Sequence, residues 1–268
     1  MNRPGTIGVF DSGVGGLTVL RTIHRLLPER DTAYLGDTAR VPYGTRSPET
    51  IVRYALNAAR FLVSREELGV LVIACNTASA VAVEAVAEAV PVPVIGVIEP
   101  TAKHAARTSQ SGRIGIIGTR GTIASGAYER AIKAARPDAE TFAAPCPLFV
   151  PLAEEGWTEL EDPVADLTAR RYLLPLLAER IDTLVLGCTH YPLLGGVIRK
   201  VVGEQVRLCD ASEAVAEDLK VLAQGRPSWA PNPNPLRRYY LTDLPKGFSA
   251  VAERFLEAPI GAPIEVDL

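Results

Sequence analysis

Short apolar runs that close on small or polar residues, each followed by an amphipathic stretch, recur along most of the chain. The runs at residues 6–10, 32–35, 70–74, 94–96, 113–117, 183–186 and 206–208 are rich in Val, Ile and Leu and do not alternate strictly. That pattern predicts strands covered on both faces, as in a largely parallel sheet. The stretches at 17–27, 48–67, 78–89, 123–135, 163–180 and 193–202 carry helical periodicity, and a late strand (238–241) and helix (249–256) follow a Pro-rich segment at 227–235 that reads as a surface linker. Strand and helix alternate, so the expected class is α/β, doubly wound.

A weak internal repeat refines this picture. Thr6-Ile7-Gly8-Val9-Phe10-Asp11 resembles Arg113-Ile114-Gly115-Ile116-Ile117-Gly118, and Val70-Leu71-Val72-Ile73-Ala74-Cys75-Asn76-Thr77 resembles Thr183-Leu184-Val185-Leu186-Gly187-Cys188-Thr189-His190, at offsets of 107 and 113 residues. Near-equal offsets imply two copies of one α/β unit. The expected domains are a discontinuous first one, residues 1–97 with 210–268, and a second, 98–209. A pseudo-twofold axis relating two such units would set their strand ends against each other, with the active site between them.

Bulk properties narrow the function. The 268 residues suffice for two compact domains, and 47% hydrophobic with 22% charged residues is ordinary for a globular protein. A net charge of -3 without long runs of one sign offers no footprint for nucleic acid or an anionic membrane. The segment 70–97 is broken by Asn76, Glu84, Glu88, Pro91 and Pro93, which excludes a membrane span. The first residues, Met1 to Thr6, lack a signal peptide's apolar stretch, so a cytoplasmic enzyme with a small ligand is expected. Four cysteines in such a chain do not make a disulfide framework, and each needs its own account.

Cys75 and Cys188 each follow a strand and precede a helical stretch, at the sheet edge where open α/β folds bind ligands. A thiol there meets the positive end of a helix dipole and unpaired backbone N–H groups, both of which favour the thiolate. Asn76, Thr77 and Thr189 offer further donors, as helix caps or as ligands for a carboxylate. Free cysteines are more usually small buried hydrophobes, and Cys146 and Cys209 are read that way. The paired placement of Cys75 and Cys188 suits other work. Inverting a stereocentre takes a base on one face and an acid on the other, and two matched thiols meet that need.

Other residues are weighed in the same way. Asp11 ends the first strand and is positioned to orient an ammonium or a thiol, or else, with Ser12, to cap the next helix. Gly13-Val14-Gly15-Gly16, with Asp37 about 20 residues on, suggests a dinucleotide fingerprint. Thr18 replaces its third glycine and Asp11 would repel a pyrophosphate, so no nicotinamide or flavin is expected. His190 could assist Cys188, whereas a Cys-x-His metal site lacks further ligands at suitable spacing, so no metal is expected. Composition alone makes Glu154 a solvated helix residue. None of the five lysines stands in a strand-end motif, which leaves no Schiff-base site for pyridoxal phosphate and no cofactor.

Residues 8–20, 34–47 (Tyr-Leu-Gly-Asp-Thr-Ala-Arg-Val-Pro-Tyr-Gly-Thr-Arg-Ser), 73–80, 96–100, 146–156 and 184–194 together resemble, in order, the blocks of the glutamate racemase family within the aspartate/glutamate racemase superfamily. One small departure is Thr101, where glycine is more usual. The resemblance implies a cofactor-independent, metal-free enzyme that makes D-glutamate for peptidoglycan and works as a homodimer. It places Asp11, Cys75, Glu154, Cys188 and His190 on catalytic positions. Asp11, Ser12, Tyr43, Gly44, Asn76, Thr77, Thr189 and His190 fall on substrate-binding positions, and Thr119 and Thr122 on a threonine-rich loop near the glutamate side chain. It further implies that Cys75 takes the proton of D-glutamate and Cys188 that of L-glutamate.

Overall fold

The computed structural model describes residues 5–224, 229 and 231–268. The chain divides into two compact units, Met1–Val97 with Ser212–Leu268, and Ile98–Ala211. The first unit runs β1 (Thr6–Asp11), α1 (Leu17–Leu26), β2 (Thr32–Gly36), α2 (Pro48–Arg65), β3 (Leu68–Ile73), α3 (Asn76–Ala89) and β4 (Val94–Gly96). The second follows with α4 (Ile98–Thr108), β5 (Arg113–Gly118), α5 (Arg120–Ala124), α6 (Ala127–Ala135), β6 (Glu140–Pro145), α7 (Phe149–Glu155), α8 (Pro163–Ala178), β7 (Thr183–Gly187), α9 (Gly195–Val202) and β8 (Arg207–Cys209). The chain then returns to the first unit through α10 (Ala211–Ala223), β9 (Arg237–Leu241), α11 (Phe248–Leu256) and β10 (Ile264–Glu265).

Both sheets are parallel, with orders β10-β9-β2-β1-β3-β4 and β6-β5-β7-β8. The repeat is visible here. β2-β1-β3-β4 and β6-β5-β7-β8 are the same arrangement, with β1 matching β5 and β3 matching β7. In the first unit Leu71 and Ile73 point into a core built with Ile51, Ala55 and Leu62 of α2 and Ala78, Ala82 and Val86 of α3. Val70 and Val72, on the opposite face of β3, are equally buried, so helices cover the sheet on both sides. The second unit repeats the design, with Ile117, Leu184 and Leu186 packed on Ala165, Ala169 and Leu173 of α8 and Val197 and Ile198 of α9.

Several expectations change. The helix expected at 123–135 is two, α5 and α6, separated at Gly126, whose φ of 64° is a left-handed conformation suited to glycine. The stretch expected at 193–202 starts as a four-residue 3-10 turn, Tyr191–Leu194, before α9 begins at Gly195. The 227–235 linker falls partly on residues 227, 228 and 230, which lie outside the described residues. Within it Trp229 is buried against Gly69, and Asn232 is buried with its side chain donating to Asp31 at 2.7 Å. These two residues anchor a segment expected to run over the surface.

Candidate active site

In the first unit the site is built where β1 and β3 end side by side, with Phe10 opposite Ile73. Cys75 is the N-cap residue of α3, and its sulfur accepts from the Ala78 N–H at 3.5 Å. The cap is thus the thiol itself. Asn76 and Thr77, expected as caps, occupy the first turn and are buried there. Cys75 Sγ also lies 3.4 Å from Ser12 Oγ. Asp11 is fully buried and accepts from the Gly13 N–H at 2.9 Å. It does not cap α1, which starts at Leu17 without a side-chain cap. Gly16 makes room for it, since a Cβ there would lie 2.5 Å from Asp11 Cβ.

A second loop carries Tyr43 and Gly44. The buried Tyr43 hydroxyl donates to Asp37, which is itself fully buried. The Asp37 carboxylate also accepts from Arg40 at 3.0 Å and from Thr242 Oγ1 at 2.9 Å. Burial, then the charge of Asp37, pushes the Tyr43 phenol far above its ordinary range, so it remains a donor. The spacing signal for a ribose-binding acid therefore has a different explanation. Asp37 organises the Tyr43 turn, a role that its sequence neighbours do not disclose because Thr242 joins it from 205 residues away. The structure brings Asp11, Ser12, Cys75, Asn76 and Thr77 to the strand ends of this unit, with Tyr43 packed in the core cluster that holds Cys75.

In the second unit Cys188 follows β7 as Cys75 follows β3. Its surroundings differ. A 3-10 turn with His190 at its cap replaces the helix, so Cys188 is not at a helix N-terminus and Thr189 caps none. Here the imidazole provides the charge. His190 Nδ1 lies 3.8 Å from Cys188 Sγ and 3.4 Å from Thr189 Oγ1, while Nε2 lies 2.9 Å from Glu154 Oε1. Burial disfavours the imidazolium, but hydrogen bonds to and negative charge on Cys188 and Glu154 outweigh it and lift the His190 pKa to about 10. Glu154 sits on α7 with 46% of its side chain exposed, a solvated helix residue that nonetheless fixes the ring. Thr119 caps α5 by accepting from Thr122 N–H at 3.2 Å, and the two hydroxyls lie 3.0 Å apart.

The remaining thiols are different. Cys146 and Cys209 are buried, and burial raises both, Cys209 to about 11. All four cysteines are free. Among the described residues no group of three or more His, Cys, Asp or Glu side chains is placed to hold a metal ion. No helix of the described residues is long and apolar enough to cross a membrane.

Two strand-end thiols, each with a polar partner and each on one of two sheets of the same strand order, have the chemistry to pass a proton to or from a carbon acid. Residues 7–219 match the family model described as Asp/Glu/Hydantoin racemase, and the chain belongs to that family of isomerases. Within it the chain stands among the glutamate racemases. It is 53% identical over 263 residues to the glutamate racemase of Geobacter metallireducens, covering 98% of this chain and 96% of that one. The crystal structure of a glutamate racemase isoform from Bacillus anthracis superposes with a TM-score of 0.91 at 42% identity, over 98% of both chains. That of the Francisella tularensis glutamate racemase in complex with D-glutamate gives 0.91 at 38% identity, over 99% of this chain and 98% of that one.

Proposed function

We propose that this enzyme interconverts L- and D-glutamate without a cofactor, using Cys75 and Cys188 as its two proton-transfer groups. The observation that carries the reading is the equivalent placement of the two thiols, one after β3 and one after β7, at matched positions of two sheets with the same order. In the direction from D-glutamate, the Cys75 thiolate takes the α-proton, the electron pair of the C–H bond passes to the carboxylate-stabilised carbanion, and the Cys188 thiol returns a proton from the opposite face. L-Glutamate leaves with Cys75 as thiol and Cys188 as thiolate, and the reverse reaction exchanges these states.

The surrounding groups are assigned supporting roles. Ser12 and the Ala78 N–H hold the Cys75 sulfur. Asp11, buried beside them, is assigned to the substrate ammonium or to the thiol proton. His190, kept protonated by Glu154, stands as a donor beside Cys188. Ser12, Tyr43, Gly44, Asn76, Thr77, Thr119, Thr122, Thr189 and His190 are assigned to substrate binding, where hydroxyl, amide and backbone donors suit two carboxylates. The product supplies D-glutamate for peptidoglycan, and the enzyme is a cytoplasmic homodimer. In favour of a dimer, Val164, Leu167 and Leu174 form an exposed apolar row on α8 at 45%, 67% and 51% exposure.

Substrate comparison tests the assignment. Purified enzyme racemises glutamate, followed by circular dichroism of the product, and leaves aspartate and hydantoins essentially unchanged; turnover of aspartate but not glutamate would move it to a sister activity.

A further inference from the structure

We propose that Tyr34 is a positioning residue for proton transfer by Cys75, acting through the carbonyl of Gly13; the inference rests on Cys75 being one of the two proton-transfer thiols. Tyr34 lies in the middle of β2 and is fully buried, with its hydroxyl donating to the Gly13 carbonyl at 2.7 Å. A buried phenol needs an acceptor, and this one finds the carbonyl of a turn residue.

The same oxygen also needs room. Residues i and i+2 of a strand share a face. Gly36, two residues after Tyr34, accordingly meets the same carbonyl, and a Cβ on Gly36 would lie only 2.5 Å from Gly13 O. Tyr34 pulls the turn onto β2 and Gly36 leaves the space for it.

That turn carries the site. Gly13 N–H donates to Asp11, Ser12 reaches Cys75 Sγ, and the Asp11 carbonyl accepts from Asp37 N–H at 3.0 Å. With Gly13 tied down, Ser12 is held against the Cys75 sulfur and the Asp11 carboxylate is held on the same turn. Negative charge on Asp11 and Cys75 also reaches the Tyr34 phenol and, after burial, holds it in its protonated, donating form. All of these residues belong to the first unit, so the brace serves only the Cys75 half.

The test is Tyr34→Phe, which removes one hydroxyl and keeps the ring. Loss of one positioning hydrogen bond is expected to lower kcat about three- to tenfold. The diagnostic is the substrate deuterium isotope effect. With α-deuterated D-glutamate it rises above the wild-type value, because Cys75 transfer becomes slower; with α-deuterated L-glutamate it falls, because Cys188 transfer is then relatively fast. A merely destabilised fold would change both directions alike. Isotope effects unchanged or shifted equally in the two directions overturn the proposal. Gly36→Ala, which displaces the same carbonyl, is expected to reproduce the asymmetry and decides the matter if Tyr34→Phe does not fold. Cys75→Ala measured alongside separates the two readings: full activity in that variant removes the thiol itself, whereas an inactive Cys75→Ala with a symmetric Tyr34→Phe removes only the brace.

Discussion

His190 stands between Glu154, 2.9 Å from one ring nitrogen, and Cys188, 3.8 Å from the other. The Cys75 sulfur instead accepts from the Ala78 N–H at the N-terminus of α3 and lies beside Ser12. The two thiols thus occupy equivalent strand ends but differ in how their charge is met. One meets a backbone N–H, which cannot titrate, and the other an imidazole, which can.

Glu154→Gln should therefore lower the His190 pKa from about 10, because one of the two groups that outweigh burial is neutralised. Titration of the imidazole by NMR reads the shift. Since the folded value lies above the ordinary 6.5, the pairing contributes its full stability below about pH 6.5 and loses it as pH rises through about 10. Urea unfolding across that window should show the gap between wild type and variant closing at the alkaline end. A constant gap would mean that the imidazolium does not carry the interaction.

Cys75→Ala and Cys188→Ala should each reduce racemisation by at least about a hundredfold, the usual contribution of a positioned acid or base. Circular dichroism and thermal unfolding should remain close to wild type, because each change removes a small side chain. Full activity in either variant would take that thiol out of the mechanism.

Gly16→Ala would drive a methyl to 2.5 Å from Asp11 Cβ and 2.9 Å from its carboxyl carbon. Overpacking of this kind costs about 1–3 kcal/mol. The Tm should fall and kcat should fall with it, because the atom that must move belongs to Asp11. A variant with wild-type kcat would separate Asp11 from the chemistry.

Tyr43→Phe removes one of the donors around the buried Asp37 carboxylate. The expected loss is about 1–3 kcal/mol in chemical denaturation, the cost of leaving a buried polar group short of a partner. KM for glutamate should rise as the Tyr43–Gly44 turn loosens. An unchanged KM would place that turn away from the substrate.

The fold class and the paired thiols were legible because both rest on local patterns: apolar runs of three to five residues, and a Cys directly after a strand that occurs twice. β6 was not, because Glu140–Pro145 is an edge strand with a mixed, half-exposed face and a terminal proline. α4 was hidden by Pro100 in its first turn, which reads as a boundary although the first turn of a helix tolerates proline. Within the site, Glu154 was named only by family resemblance, since 36 residues separate it from His190. Tyr34 was missed for the same reason, and Asp37 was weighed only as the acid of a nucleotide fingerprint. Their partners, Gly13 and Thr242, are distant in the chain, and no local pattern distinguishes a tyrosine that braces a turn from one that fills a core.

Exchange of the α-proton by two thiols at opposite faces of one carbon is tested most directly by incubating the enzyme with L-glutamate in deuterated water, without added cofactor, and analysing the product by mass spectrometry. Two-thiol exchange gives D-glutamate carrying solvent deuterium at the α-carbon from the first turnovers. D-Glutamate formed with its original α-proton would contradict it.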